Sequence, residues 1–330
     1  MMKYTPKYQV SPIKDADFKD RIKVIHEDLE KIKTTGSISS FDGISLQYYY
    51  YPCENPIGTV VIIHGFTEFA LKYEEIIYYF LEKGYNCFTY DQRSHGFSGS
   101  GVSDRRYNHI EDFRDYSKDL NEIMEQAVKP FCGDSEIFIY CHSMGGSVSL
   151  LYFHDFKPDF IKKAVFSSPM VVPLMAHHFP VWLVEASIKK SVKTDGWDAP
   201  FPHTSHFNPN PEYKTSHDCS RARFDHNISL RRAEKNFQNS GSTNRWLWEC
   251  LRLRKYIPKR DFLSEIRQNI LVLKAGQDTV VRTDVYKTLQ KYLPSCRISE
   301  YPDSRHSIYN SDDETLIRYW NEVFDFLKSE

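Results

Sequence analysis

Apolar runs and segments of helical spacing alternate along the middle of the chain. Residues 59–65 (TVVIIHG) form a short apolar run of the kind that makes a buried strand. Residues 73–84 (YEEIIYYFLEKG) follow with helical spacing and a glycine stop. Residues 86–91 (NCFTYD) read as a second strand. In residues 111–128 the spacing places Phe113, Tyr116, Leu120, Ile123, Met124 and Ala127 on one helical face. Residues 136–141 (EIFIYC), 144–156 (MGGSVSLLYFHDF) and 162–169 (KKAVFSSP) then give strand, helix and strand. Upstream, two β-rich runs flank Asp42-Gly43, a strong hairpin signal. Further upstream, the charged first forty residues predict a helix around Ile22 to Ile32.

The alternation stops at residue 170. Up to about residue 262 come prolines, histidines, tryptophans and basic helical pieces, with no clear strand. It resumes with a strand at 269–278, a helix near 284–292, a strand within 297–306 and a final helix of sequence DETLIRYWNEVFDFLKS. Repeated β-α-β units imply a mostly parallel central sheet with helices on both faces. The simplest division is a helical extension over 1–36, a core over 37–169 and 263–330, and an inserted, mainly helical cap over 170–262.

Composition narrows the function classes. The 330 residues carry a net charge of -1, so the chain as a whole is not built to hold nucleic acid. Aromatics reach 15%, enough to line a pocket as well as fill a core. The seven cysteines are scattered singly, which reads as reduced thiols in a cytoplasmic protein. No run approaches the roughly 20 apolar residues needed to span a bilayer. Peripheral contact with the inner face of a membrane remains open.

The candidate chemistry centres on YCHSMGGSVSL, residues 140–150. Ser143 falls at the junction of a predicted strand and a predicted helix, the context of a nucleophile elbow of G-x-S-x-G type. The turn needs small residues on either side of the serine because two backbones pass closely there. Gly145 and Gly146 meet that need, while Cys141 stands where the first glycine belongs. A nucleophilic serine needs a base, and the base an orienting acid. Asp278, after the strand at 269–278, and His306, after the last strand, stand in the expected chain order of Ser, acid and His. Asp303 and Asp284 are rival acids. Two backbone N–H groups should hold the developing oxyanion: those of Met144 and of Phe66, in the HGFTE loop after the first parallel strand. His64, Asp91, Arg93 and His95 read as residues that fix loops.

Taken in order, HGFTEFALKY, YDQRSHGFSG, HSMGG, AGQDTVV and RHSIY resemble the α/β-hydrolases of the monoacylglycerol lipase and bacterial lysophospholipase group, nearest to the inner-membrane lysophospholipases. The likeness covers roughly residues 37 to 328. It implies the α/β-hydrolase fold and a serine esterase acting on glycerolipids without metal or organic cofactor. It also implies Ser143 as nucleophile, Asp278 as acid, His306 as base, and Phe66 and Met144 as oxyanion donors. The chain departs from the family pattern at Cys141 and at Ser94, where many relatives have Gly. The elbow is expected to be intact but tighter than usual.

The cap bears on substrate. Residues 179–190 and 244–257 look amphipathic, as helices that pack on the core or line an acyl pocket. Residues 221–260 hold eleven Lys or Arg against Asp225, Glu234 and Glu249. That excess suggests attraction to anionic headgroups, with Arg252, Arg254 and Lys255 as contacts, and so a lysophospholipid over a neutral monoacylglycerol. His177, His178, His203, His206 and His217 make the cap histidine-rich; His203 and His206 have half the spacing of a metal site and no second half. An aminopeptidase on the same framework would want a carboxylate cluster in the cap. A non-catalytic scaffold would show a broken triad.

Overall fold

The computed structural model describes residues 2–3, 11–133, 135–174, 180–202, 204 and 206–329. Ten strands are described: β1 (Thr34–Ser39), β2 (Ser45–Tyr51), β3 (Gly58–Ile63), β4 (Tyr85–Tyr90), β5 (Tyr107–Asn108), β6 (Ile137–His142), β7 (Ile161–Ser167), β8 (Gly241–Ser242), β9 (Asn269–Ala275) and β10 (Cys296–Tyr301). Eight of them form one sheet in the order β1-β2-β4-β3-β6-β7-β9-β10, and β5 pairs with β8. β2 runs antiparallel to β1 and β4, and every other pairing in the main sheet is parallel. The hairpin at Asp42-Gly43 joins β1 to β2, with Gly43 at φ 89°, a backbone that glycine adopts without steric cost.

The helices are α1 (Asp15–Ile32), α2 (Glu74–Glu82), α3 (Arg114–Ile123), α4 (Lys129–Cys132), α5 (Met144–Phe156), α6 (Val181–Asp195), α7 (Arg221–Ala233), α8 (Asn244–Arg252), α9 (Arg260–Leu263), α10 (Tyr286–Tyr292) and α11 (Asp313–Lys328). α1, α2 and α11 bury their apolar stripes on one face of the sheet, with Leu29, Ile77 and Trp320 among them. α3, α5 and α10 cover the other, through Leu120, Val148 and Leu289. The six residues placed on one face of the helix at 111–128 are all buried. That helix runs past residue 128: a wider π-type turn over Met124–Val128 carries it into α4. A proline lacks the N–H and clashes with the carbonyl four residues back, so the wider turn lets the helix pass Pro130.

The segment between β7 and β9 holds α6 to α9. It was read as strandless, but Gly241 and Ser242 pair with Tyr107 and Asn108. A two-residue ladder gives no period to detect in sequence. Trp246 on α8 is buried and donates its indole N–H to the Tyr116 hydroxyl on α3 at 3.0 Å.

Part of the basic excess of residues 221–260 is paired within the chain. Arg221 pairs with Asp225, Arg245 with Glu111, Arg252 with Glu249, and Arg254 with Glu185; Lys255 lies 4.0 Å from Glu185. The expected headgroup contacts Arg252, Arg254 and Lys255 thus share two carboxylates, Glu249 and Glu185, and Arg252 and Lys255 keep much of their side chains exposed. Arg223 on α7 is buried, with Nε 2.9 Å and Nη2 2.5 Å from the Glu75 carboxylate of α2, and Nη2 also donates to the Ile13 carbonyl at 2.8 Å. This one side chain fastens the cap to α2 and to the segment leading into α1. Truncating one partner of a buried pair leaves an uncompensated charge, at about 3–5 kcal/mol. Arg223→Met is expected to lower the unfolding free energy by that order in urea titration; a loss of less than about 1 kcal/mol would mean that the pair does not fasten the cap.

Candidate active site

Ser143 occupies the single residue between β6 and α5, at φ 50° and ψ -116°. This backbone is strained for a residue with a Cβ, at about 1–3 kcal/mol. The surroundings hold it there. The Ser143 N–H donates to the Ser167 carbonyl at 3.1 Å, and the Ser143 carbonyl accepts from Gly146 at 2.9 Å and Met170 at 2.8 Å. Gly145 is required by close approach: a Cβ there would lie 2.4 Å from the Ile63 carbonyl oxygen of β3. At Gly146 a Cβ would meet Pro169 at 2.4 Å. Cys141 is fully buried in the core on the α5 side of the sheet, and burial pushes its thiol well above the ordinary range. It pairs in register with Ile63 and Phe166 on the neighbouring strands. The strand therefore continues through position 141 without distortion.

The strand-end loops bring the two partners to the serine. His306 Nε2 lies 2.9 Å from Ser143 Oγ, and His306 Nδ1 lies 2.7 Å from Asp278 Oδ2. A carboxylate can only accept, so Nδ1 carries the proton and Nε2 is left to accept from the serine hydroxyl. The other Asp278 oxygen, Oδ1, accepts from the Val280 and Val281 N–H groups at 2.8 and 3.0 Å. Burial alone would raise the Asp278 pKa; the bond and charge of His306 and these two N–H groups outweigh it and hold the carboxyl below the usual range. Of the rival acids, Asp284 is exposed and paired with Arg282, and Asp303 is exposed on the turn before His306.

The loop after β3 passes directly against the serine. A Cβ on Gly65 would lie 3.1 Å from Ser143 Cβ. Among the described residues neither Phe66 nor Met144 spends its backbone N–H elsewhere. Two devices shape this loop. The buried His64 donates from Nδ1 to the Gly65 carbonyl at 2.7 Å and accepts at Nε2 from the Gln92 N–H at 3.0 Å; desolvation lowers its pKa, so it stays neutral. The buried Glu68 accepts from the Gly65 N–H and the Tyr73 hydroxyl, both at 2.6 Å, and from Lys72 at 2.5 Å. Its burial would raise its pKa, but Lys72 and the charge and bonds around it hold it well below the usual range. Sequence reasoning missed Glu68 and Lys72. Their i, i+4 spacing within HGFTEFALKY, residues 64–73, was the available signal.

The second loop is fixed internally. Asp91 accepts from the Ala70 N–H at 2.7 Å and the Phe97 N–H at 2.9 Å, Arg93 binds Asp119 and Asp42, and His95 donates to the Arg93 carbonyl at 2.9 Å. Above the serine lies a cavity of about 480 Å³, with Ser143 and His306 in its wall and α7 of the cap opposite. His206 and His217 line it; His177, His178 and His203, like Phe179 at the start of one amphipathic segment, lie outside the described residues. Phe66 stacks on Trp246 of the cap, ring centroids 4.1 Å apart.

Residues 54–313 match a family model described as "Serine aminopeptidase, S33". The chain belongs to that family. A probable lysophospholipase L2 of Haemophilus influenzae is 25% identical over 81% of this chain and 83% of its own length. A monoglyceride lipase of Saccharomyces cerevisiae is 23% identical over 90% of this chain and 94% of its own. A crystal structure of a soluble variant of that yeast monoglyceride lipase, in complex with a substrate analog, superposes with a TM-score of 0.68 at 19% identity, covering 90% of this chain and 95% of that one. The fold is the α/β-hydrolase fold, and the likenesses support an ester-hydrolysing member of it.

The geometry around Asp278 makes a prediction. Asparagine keeps the shape but offers an N–H or a neutral oxygen to His306, so the ring loses its preferred tautomer. Asp278→Asn is expected to lower kcat for a soluble ester by on the order of 10³–10⁴ with KM little changed. A loss below tenfold would remove Asp278 from the relay.

Proposed function

We propose that the chain is a serine esterase on glycerolipids, most readily a lysophospholipase. The observation that carries the reading is the unbroken relay of Ser143, His306 and Asp278 beside two unspent N–H groups under a cap. Ser143 Oγ attacks the ester carbonyl while His306 Nε2 takes its proton. The oxyanion of the tetrahedral intermediate sits against the N–H groups of Phe66 and Met144, each worth about 2.7–4 kcal/mol in such sites. His306, its positive charge held by Asp278, returns the proton to the departing glycerol oxygen. Water, activated by the same histidine, then frees the fatty acid from the acyl-serine.

The cavity beside Ser143 supports a polar alcohol as the leaving half of the substrate. Its wall combines charged and amide side chains, among them Lys72, Asn208, Asn227 and Arg231, with the apolar Phe66, Phe207, Phe224, Ile228 and Val280, so polar groups are at hand for an alcohol beside the ester. A monoacylglycerol has the same ester and a smaller polar half, which makes monoglyceride lipolysis the second reading. An aminopeptidase would need carboxylates free to hold an α-ammonium. Beside the serine, Glu68 is committed to Lys72, and Asp218 accepts from Asn310 at 2.8 Å and Ser216 at 3.1 Å; the remaining carboxylate of the cavity, Glu212, is exposed at its rim.

Peripheral contact with a lipid surface is part of the reading, but through α6. Trp182 and Leu183 are 65% and 38% exposed at its start, and Lys189, Lys190 and Lys193 are exposed further along. An exposed indole followed by a basic face suits an anionic interface. Among the described residues no helix is long and apolar enough to cross a membrane.

Fatty-acid release from lysophosphatidylcholine and from monoacylglycerol, measured side by side, tests the reading. Release in wild type, reduced on the order of 10⁴-fold or more in Ser143→Ala, is the expected result; release that survives the substitution would remove the serine mechanism. For the surface, the triple variant Trp182→Ala, Lys189→Glu, Lys190→Glu is expected to lower sedimentation with phosphatidylglycerol vesicles at least fivefold, with hydrolysis of a soluble ester unchanged. Equal sedimentation would rule out α6 as the contact.

A further inference from the structure

α7 presents one face to the cavity beside Ser143, and that face is unusual. Phe224, Asn227, Ile228 and Arg231 all line the cavity, at the i, i+3, i+4 and i+7 positions of one helical stripe. Two of the four are polar, and both have unspent capacity. Arg231 donates from Nε to the Phe237 carbonyl at 2.9 Å and from Nη2 to the Asn239 carbonyl at 2.7 Å. Nη1 has no hydrogen bond among the described residues. Among the described residues Arg231 also has no carboxylate partner, whereas Arg221, Arg223, Arg245, Arg252 and Arg254 each have one. The Asn227 side-chain oxygen, one turn away, is buried and has no partner among the described residues. An amide's two ends exchange by a flip of the group, so the same side chain can turn its NH₂ to the cavity.

A half-buried guanidinium fixed by two backbone carbonyls, with a donor left over among the described residues, is pre-organised to hold an anion. Phe207 packs against its plane at 4.7 Å, and burial lowers its pKa to about 10, still leaving it charged at neutral pH. Other charges face the same cavity. Glu68 and Lys72 neutralise each other, Asp218 is bonded to Asn310 and Ser216, and Glu212 is exposed at the rim. The catalytic relay occupies the same wall, so an anion on Arg231 belongs to the alcohol half of an ester held at Ser143.

We infer that Arg231, with Asn227, is a binding site for the phosphate of the substrate's glycerophosphate headgroup, and sets the preference for lysophospholipid over monoacylglycerol. The inference rests on the esterase reading and deepens it. Arg231 acts on binding and touches no reacting atom.

The first experiment compares kcat/KM for lysophosphatidylglycerol and for monoacylglycerol of equal chain length, with wild type, Arg231→Lys, Arg231→Met and Asn227→Ala. Arg231→Met is expected to lose at least tenfold on the lysophospholipid and less than twofold on the monoacylglycerol, with Arg231→Lys recovering part of the loss. Equal loss on both lipids would mean that Arg231 only supports the 237–239 segment, and no loss on either would mean that the phosphate binds elsewhere; each overturns the inference. A second measurement needs no turnover, so it separates this inference from the esterase reading. Glycerol 3-phosphate is expected to slow fluorophosphonate labelling of Ser143 in wild type and not in Arg231→Met. Protection in both proteins, or in neither, would overturn the site. Protection by inorganic phosphate alone at the same concentration as glycerol 3-phosphate would assign it to free phosphate rather than a headgroup, which also overturns it.

Discussion

The whole site depends on a steric fit around one strained residue. Ser143 stands at φ 50°, and the chain tolerates this because three backbones meet there at distances that leave no room for side chains. β3 lies against Gly145, the loop after β7 lies against Gly146, and the loop after β3 lies against Ser143 itself. Relaxing the turn would disturb all three contacts at once. The same crowding lifts Oγ toward His306 and brings the Phe66 segment alongside. The sheet order places β3, β6 and β7 side by side, so their C-terminal loops converge on a single point.

Desolvation governs the electrostatics of this point. His64, His95 and His142 are fully enclosed and have lowered pKa values, those of His95 and His142 to about 3. They are neutral frame members, each giving its ring N–H to a backbone carbonyl. The one buried carboxylate in the loop after β3, Glu68, is offset by Lys72 and by two tyrosine hydroxyls, from Tyr73 and Tyr309. Directly around the relay the buried histidines are neutral and Glu68 is offset by Lys72, so the Asp278 carboxylate is the charge that faces His306.

Most of the core and the relay were legible because their signals are local. A buried strand, a serine and a glycine-rich helix start lie within eleven residues, and the acid and histidine each follow a strand end. The hairpin at Asp42-Gly43 was legible for the same reason. The cap was not. Its pairings are long-range: Arg223 meets Glu75, Arg254 meets Glu185, and Asn108 donates to the Gly241 carbonyl. Counting charges over residues 221–260 therefore left open which of the cations are paired within the chain. The count could not separate Arg231, which has no carboxylate partner among the described residues, from neighbours that do. The helix through Pro130 was missed because the relief is a change in backbone winding, which leaves no mark in side-chain periodicity.

The stack of Phe66 on Trp246 ties together two parts that evolution and engineering usually treat as separate. Phe66 contributes its backbone to the floor of the site and its ring to the underside of the cap. A cap that lacked an indole at this place would leave residue 66 unsupported, altering the rate of chemistry along with the choice of substrate. Substrate range in this protein is therefore not a module that can be exchanged at the two junctions of the insertion. It has to be changed together with the loop beneath it.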